Sequence, residues 1–401
     1  MNADAPQRPS RTLDLGCVRV ALLTNFVPPY RVPLFRELQA KLQEFCVFIS
    51  TPMESGRSWE LEWDGLAVTV QRTFTIMRHH EHPHGFAQRT SVHVPYDTLW
   101  RLRSMSPDVV IAGELGFRTV QAMAYRRWLA PRTKLIVWAT LSEVTELGRG
   151  LMRRLLRAYV LPRADAVLVN GASGGRYVSS LGVPQWRLFT APYTTDPAPF
   201  GAVALERAPR CRRRLLYCGQ LIERKGLHPF VTTLCRWAER HSDRGVELWF
   251  LGDGPLRSDL EHLPRPSNLM LRFVGNVPYR ALAAWYQQAG ILVFPTLADE
   301  WGLVVNEALT AGVPVLGSLY SQAVEELVRD GENGWTFRPD RADEMSSALD
   351  RALSLPEPEL DAMRARARHS VDHLTPEFVA GRILDAVRFV LADSTTAPTL
   401  P

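Results

Sequence analysis

The sequence predicts an α/β chain built from two doubly wound domains, each a parallel sheet with crossover helices. Three observations predict it. The chain has 401 residues, a length that suits two domains better than one. Short apolar runs alternate with helical-period segments along most of the chain, the rhythm of βαβ units. That rhythm breaks once, in a stretch rich in proline and arginine from Pro197 to Arg212, and then restarts.

Composition sets bounds on function. Hydrophobic residues make up 46% and charged residues 22% of the chain, enough apolar material for two cores. The net charge of +5, from 47 basic and 42 acidic residues, is too small to argue for nucleic-acid binding. It suits an anionic small ligand or an anionic membrane surface. Met1–Arg11 lacks the apolar stretch of a signal peptide, and no run approaches the length of a membrane span. Five cysteines without a C-x-x-C pair point to a reduced, cytosolic compartment.

Residues 1–15 read as a disordered leader. Val18–Phe26 is an apolar strand, followed by Pro28-Pro29-Tyr30-Arg31 and a helix over Pro33–Leu42. Tyr30 and Arg31 follow the end of this strand and are candidates for meeting an anionic ligand; the alternative is that the prolines merely end the strand and Arg31 is solvated. Phe45–Ile49 and Ala67–Val70 are short strands. His79-His80-Glu81-His82-Pro83-His84 reads as a solvated loop near the cleft, without the further ligands a metal site needs. Tyr96–Arg103 and Thr119–Leu129 are helices flanking the strand Asp108–Ala112. Lys134–Ala139 is a strand, and Glu143 follows at its carboxyl end, a cleft position and a ligand-contact candidate.

Arg126–Arg163 carries nine basic residues against two acids. Within it Leu151, Met152, Leu155, Leu156, Tyr159 and Val160 recur at helical spacing among arginines. Two readings stand: an amphipathic helix lying on an anionic leaflet through Arg149–Arg163, or a helix that packs its apolar side on the sheet. Ala164–Asn170 and Leu188–Ala191 are strands around the helix Gly174–Leu181.

The second half opens with the strand Leu215–Cys218 and G-Q-L-I-E-R-K-G, Gly219 to Gly226. Glycine at a strand end lets backbone approach a phosphate, and a cation such as Lys225 closes over it. Leu248–Leu251 precedes Gly252-Asp253-Gly254-Pro255, and Leu271–Val274 precedes Gly275-Asn276-Val277. The strand Ile291–Phe294 runs through a loop holding Asp299 and Glu300 into a helix bearing Glu307, which stops at Gly312 before the next strand. Two carboxylates beside the free amides of a helix N-terminus suit a ligand with both hydroxyls and phosphates, a nucleotide sugar. Helices close the chain at Ala323–Val328, Arg341–Leu353, Leu360–Arg368 and Pro376–Leu391.

In this order the motifs resemble those of retaining glycosyltransferases of the GT-B fold, in the large family four group (glycosyl transferases group 1). The resemblance covers residues 215–340 and rests on G-x-L-x-x-x-K-G, G-D-G-P, F-x-G-x-V, an acid pair with seven residues between (Asp299 and Glu307), A-G-V-P-V and D-G-E-N-G. Asp299 stands where the family has glutamate, and Gln220 where it has arginine, with Arg224 an added cation. The resemblance implies two Rossmann-like domains facing a central cleft, with the C-terminal helix crossing back to the first domain. Its division is a leader 1–15, an acceptor-side domain 16–196, a linker 197–212, a donor domain 213–374, a crossover helix 375–391 and a tail 392–401.

It also implies roles. Lys225, Asp299 and Glu307 would be catalytic. Gly219, Gln220, Arg224, Gly254, Val274, Asn276, Trp301, Gly302 and Leu303 would bind the donor, Val274 and Asn276 by reading the base through backbone. Tyr30, Arg31 and Glu143 face the acceptor. The implied reaction moves a sugar from a nucleotide donor to a glycan or lipid-linked acceptor with retention, without a metal cofactor, in the cytoplasm or on the inner membrane face. An epimerase or phosphorylase fits less well, because no pyridoxal-type lysine context is present and the register of Asp299 and Glu307 argues against both. The reading from another class is a catalytically silent nucleotide-sugar binder acting as an assembly partner, marked by Gln220 and Asp299.

Overall fold

The structure is a computed structural model, described for residues 14–54, 63, 65–113 and 115–392. The expected leader and tail fall almost wholly outside the described residues.

The first domain is built on a seven-stranded parallel sheet. Its strands are β1 (Arg19–Thr24), β2 (Glu44–Ile49), β3 (Val68–Val70), β6 (Val109–Gly113), β7 (Lys134–Ala139), β8 (Ala166–Val169) and β9 (Leu188–Thr190). They lie in the order β3-β2-β1-β6-β7-β8-β9. Between β3 and β6 the chain makes an antiparallel hairpin of β4 (Thr73–His82) and β5 (Phe86–Pro95). The strands β1, β6, β7 and β8 are buried along nearly their whole length, as continuous Val/Ile/Leu/Ala runs covered on both faces must be.

The second sheet has six parallel strands: β10 (Arg214–Cys218), β11 (Val246–Leu251), β12 (Leu269–Gly275), β13 (Ile291–Phe294), β14 (Val315–Ser318) and β15 (Gly334–Phe337). Their order is β12-β11-β10-β13-β14-β15. In both sheets the order reverses beside the first strand, between β1 and β6 and between β10 and β13. Crossovers leave in opposite directions at such a point and open a crevice at the carboxyl ends of the strands.

The C-terminal helix Pro376–Ala392 returns to the first domain. It lies against the helix Val32–Lys41, and Phe389 meets Trp186 and Phe189. Val379, Ile383, Leu384, Val387 and Val390 are buried there, and each large aliphatic side chain so buried contributes roughly 1.5–3 kcal/mol. That strip fastens the chain's end across both domains.

Two expectations are corrected. The histidine cluster is no solvated loop: His79–His82 end strand β4, and His82 is buried, stacked on Phe86 at 4.4 Å. Sequence reading missed this hairpin because β4 has polar residues and apolar residues on both faces, without an alternating core side. In the segment 197–212 Phe200, Val203 and Cys211 are buried. The basic helix Leu151–Val160 turns its apolar side away from the sheet. Its buried positions are Arg157 and Val160, and the guanidinium of Arg157 pairs with buried Glu146.

Candidate donor and acceptor cleft

The turns after β10, β11 and β12 meet as a backbone floor. Gly219 donates its amide to Leu251, Leu221 to Asp253, and Gly252 to Gly275. A Cβ on Gly252, whose φ is +131°, would stand 2.0 Å from the Gly219 carbonyl oxygen, and one on Gly254 2.4 Å from that of Leu221. No other residue allows this approach. Val274 and Asn276 flank Gly275 at the edge of the same floor, with backbone available to a flat ligand.

The turn Glu223–Lys225 is stitched to the loop after β13. The Arg224 carbonyl accepts from the Leu297 amide at 2.8 Å and from the Thr296 hydroxyl at 3.2 Å. This contact closes the sheet's switch point and places two cations on one acid. Lys225 pairs with Asp299, and Arg224 reaches the same carboxylate at 3.3 Å and the Ala298 carbonyl at 2.8 Å. Burial alone would raise the Asp299 pKa, but Lys225 and then Arg224 outweigh it and hold it at about 2. Gln220, expected to stand in for an arginine, accepts through its carbonyl from the Tyr217 hydroxyl at 2.7 Å.

Glu307 lies one turn inside the helix Leu303–Thr310, whose first amides lack intrahelical partners. It is 3% exposed and accepts a hydrogen bond from the Tyr286 hydroxyl at 2.9 Å. Burial pushes its pKa up to about 7, with the Tyr286 bond pulling the other way. Gly302, at φ +107°, turns the chain into this helix; a Cβ there would strike the Phe294 ring. Trp301 contributes only backbone to the crevice. Its indole is buried and donates to Asn306 at 2.8 Å, and Asn306 donates to the Tyr193 carbonyl at 2.9 Å.

Across the cleft, Arg31 follows β1 at the first sheet's switch point. Its guanidinium lies over Trp138 at 4.8 Å and over Tyr193 at 4.5 Å, with the Tyr30 ring 6.4 Å from that of Tyr193. Glu143 does not point freely into the cleft. It accepts from Arg176 at 2.8 Å, and Arg176 reaches on to Glu325 of the second domain at 2.8 Å. The hairpin tip also crosses over: His84 packs on Tyr320 at 4.9 Å, and the Ala87 amide donates to Glu223 at 3.5 Å.

Sequence reasoning missed three side chains of this region. Buried Gln322 accepts from the Gly174 amide at 2.9 Å and donates to the carbonyls of Leu141 at 2.8 Å and Glu300 at 2.6 Å, tying the acid loop to the first domain. Tyr286 supports Glu307. Buried Arg118 holds Ser50 at 3.0 Å and Asn25 at the ends of β2 and β1. The helix cap Ser321 marked where Gln322 begins its helix, but nothing in the local sequence marks these partners.

Residues 212–354 match the family described as glycosyl transferases group 1. The chain is 27% identical over 247 residues to a glycogen synthase of Mycobacterium tuberculosis, covering 59% of this chain and 58% of that protein. It is 25% identical over 222 residues to an Escherichia coli K12 protein named "Putative colanic acid biosynthesis glycosyltransferase WcaL", covering 53% of each. It thus spans little more than half the length of these curated relatives. Among solved structures, the lipopolysaccharide outer core galactosyltransferase WaaB superposes with a TM-score of 0.67 at 13% identity, over 92% of this chain and 99% of that one. HepE of Anabaena, in complex with UDP and glucose, gives 0.66 at 12% identity over the same shares. The chain accordingly has the GT-B fold, and its segment 212–354 is similar to the glycosyl transferases group 1.

Proposed function

We propose that the protein transfers a sugar from a nucleotide-sugar donor to a glycan or lipid-linked acceptor, with retention of configuration. The observation that carries this reading is the switch point of the second sheet. There a glycine-walled floor, the cation pair Arg224–Lys225 and the buried acid Glu307 converge from strands distant in sequence. Relatives in glycan synthesis and a UDP-bound neighbour support the same ligand class.

In this reading the donor diphosphate takes Lys225 and Arg224 from Asp299, and the amides near Gly302 and Leu303 add fixed positive potential. Charge that develops on the departing diphosphate is then stabilised by groups already in place, without a metal cofactor. Asp299, released from its cations, orients the sugar. Glu307 accepts from the ribose hydroxyls. The acceptor hydroxyl attacks from the face the diphosphate leaves, and its proton passes to the leaving phosphate. Arg31, Tyr30 and the Glu143 clasp border the acceptor side, and the contacts of Gln322 and His84 keep water out while the domains are closed.

A thermal-shift panel with UDP, GDP, ADP, CMP and their sugar conjugates, with and without magnesium, tests this. Saturation at 100 times the dissociation constant stabilises by about 2.7 kcal/mol. One responding nucleotide, independent of magnesium, is the expected result. No response to any would favour a silent assembly partner instead.

A further inference from the structure

The basic helix Leu151–Val160 is amphipathic in the inverse sense to a helix of a soluble domain. Its inward side holds Arg157, paired with Glu146 and 3.3 Å from the Tyr177 hydroxyl, together with Val160. Its outward side holds Leu151, Met152, Leu155, Leu156 and Tyr159, which are 70, 79, 53, 40 and 56% exposed. At 100° per residue these five fall within an arc of roughly 140°, a continuous apolar stripe. Exposing that stripe to water has a free-energy cost, and among the described residues no element covers it.

The borders of the stripe say what covers it. From Arg149 to Arg163 there are five arginines and no acid. Arg149 donates to the Thr145 carbonyl at 2.9 Å, Arg153 lies 3.7 Å from Glu146, and Arg163 stacks on Tyr159 at 3.9 Å. A second copy of the chain would bring the same arginines against one another and be repelled. A bilayer bearing anionic headgroups satisfies both features at once, apolar side chains entering the acyl boundary and guanidinium groups meeting phosphate.

We infer that this helix docks the protein on an anionic lipid surface, with Leu151, Met152, Leu155 and Tyr159 inserted. No membrane span is involved: among the described residues no helix is long and apolar enough to cross a bilayer. The helix starts beside the cleft, because the loop from Ser142 to Arg149 leads directly from the carboxyl end of β7, and Glu300 of the acid loop is a charged neighbour of Arg149. Docking therefore brings the cleft mouth to the lipid surface, where a lipid-carried acceptor would meet it. Only this last consequence rests on the transferase reading.

The test is co-sedimentation of the full chain with phosphatidylcholine vesicles, with and without phosphatidylglycerol, in the absence of any sugar donor. Failure of docking is thus distinct from failure of the donor-site reading. The wild type is expected to partition onto the anionic vesicles and to come off as salt rises. Met152→Ser/Leu155→Ser is expected to weaken partitioning by roughly tenfold or more, and Arg154→Gln by about fivefold. Both variants alter exposed side chains and should keep the wild-type melting temperature. Absence of binding to anionic vesicles at low salt would overturn the inference. So would equal binding by the serine variant, or self-association that this variant abolishes.

Discussion

Lys225 and Asp299, 74 positions apart, form an ion pair at the switch point of the second sheet, and Arg224 shares the same carboxylate. The acid is the internal counter-ion of the phosphate-type cations while no anion competes for them. Lys225→Ala should lower sugar-transfer turnover by roughly 10²–10³, the scale for losing one preorganised charge-stabilising group. Asp299→Asn should separate binding from chemistry: nucleoside diphosphate binds tighter, because the carboxylate no longer competes for Lys225 and Arg224, while transfer falls. Calorimetric affinity beside steady-state rates checks both, and a weaker diphosphate complex in Asp299→Asn would contradict the counter-ion role.

Glu307 gives a pH dependence with a definite sign. Its ordinary pKa of 4.5 is raised to about 7 in the folded chain, so the folded state holds a proton that the unfolded state has lost. Ligand-free stability is full below about pH 4.5 and falls as pH rises to about 7, by about 3 kcal/mol from this group. Melting curves should show that decline, and Glu307→Gln should remove it.

The same group should couple to the donor. Accepting two ribose hydroxyls favours the ionised carboxylate, so nucleotide-sugar affinity should rise with pH up to about 7 and then level. A nucleotide sugar is the right probe, since its diphosphate does not titrate in this window. An affinity flat from pH 5 to 8 would remove Glu307 from the ribose site.

Gly252→Ala places a methyl group where the Gly219 carbonyl stands, at a positive φ. The two turns must part, and destabilisation of more than about 2 kcal/mol is expected, together with loss of nucleotide binding. Denaturant melts compared with the wild type provide the measurement.

Two of the interdomain contacts should differ in strength. Arg176, half exposed between Glu143 and Glu325, should cost less than about 1 kcal/mol on replacement by alanine. Gln322→Ala leaves the Gly174 amide and two carbonyls without their buried partner and should cost about 1–3 kcal/mol. A reversed order would mean that the ion-pair clasp holds the domains together.

Much of this was legible locally. The strand-helix rhythm, the second sheet's order of motifs and the glycines after β10 and β11 were readable because apolar periodicity and the need for positive φ act over a few residues. Glu307 and Lys225 were singled out from their places at a helix start and a strand end, and Asp299 over its neighbour Glu300 by the spacing of the motif it resembles. The local sequence determined which segments are strands and helices and which loops can receive an anion. The tertiary structure alone decided that Lys225 and Asp299 neutralise each other, that Gln322 and Arg118 tie distant strand ends, and that the histidine-bearing hairpin crosses the cleft. It also decided which side of the basic helix faces water. Periodicity gives a helix an apolar side but not its direction. That direction depends on the buried Arg157–Glu146 pair, and the energy of such a pair arises only when separate elements exclude water from it together.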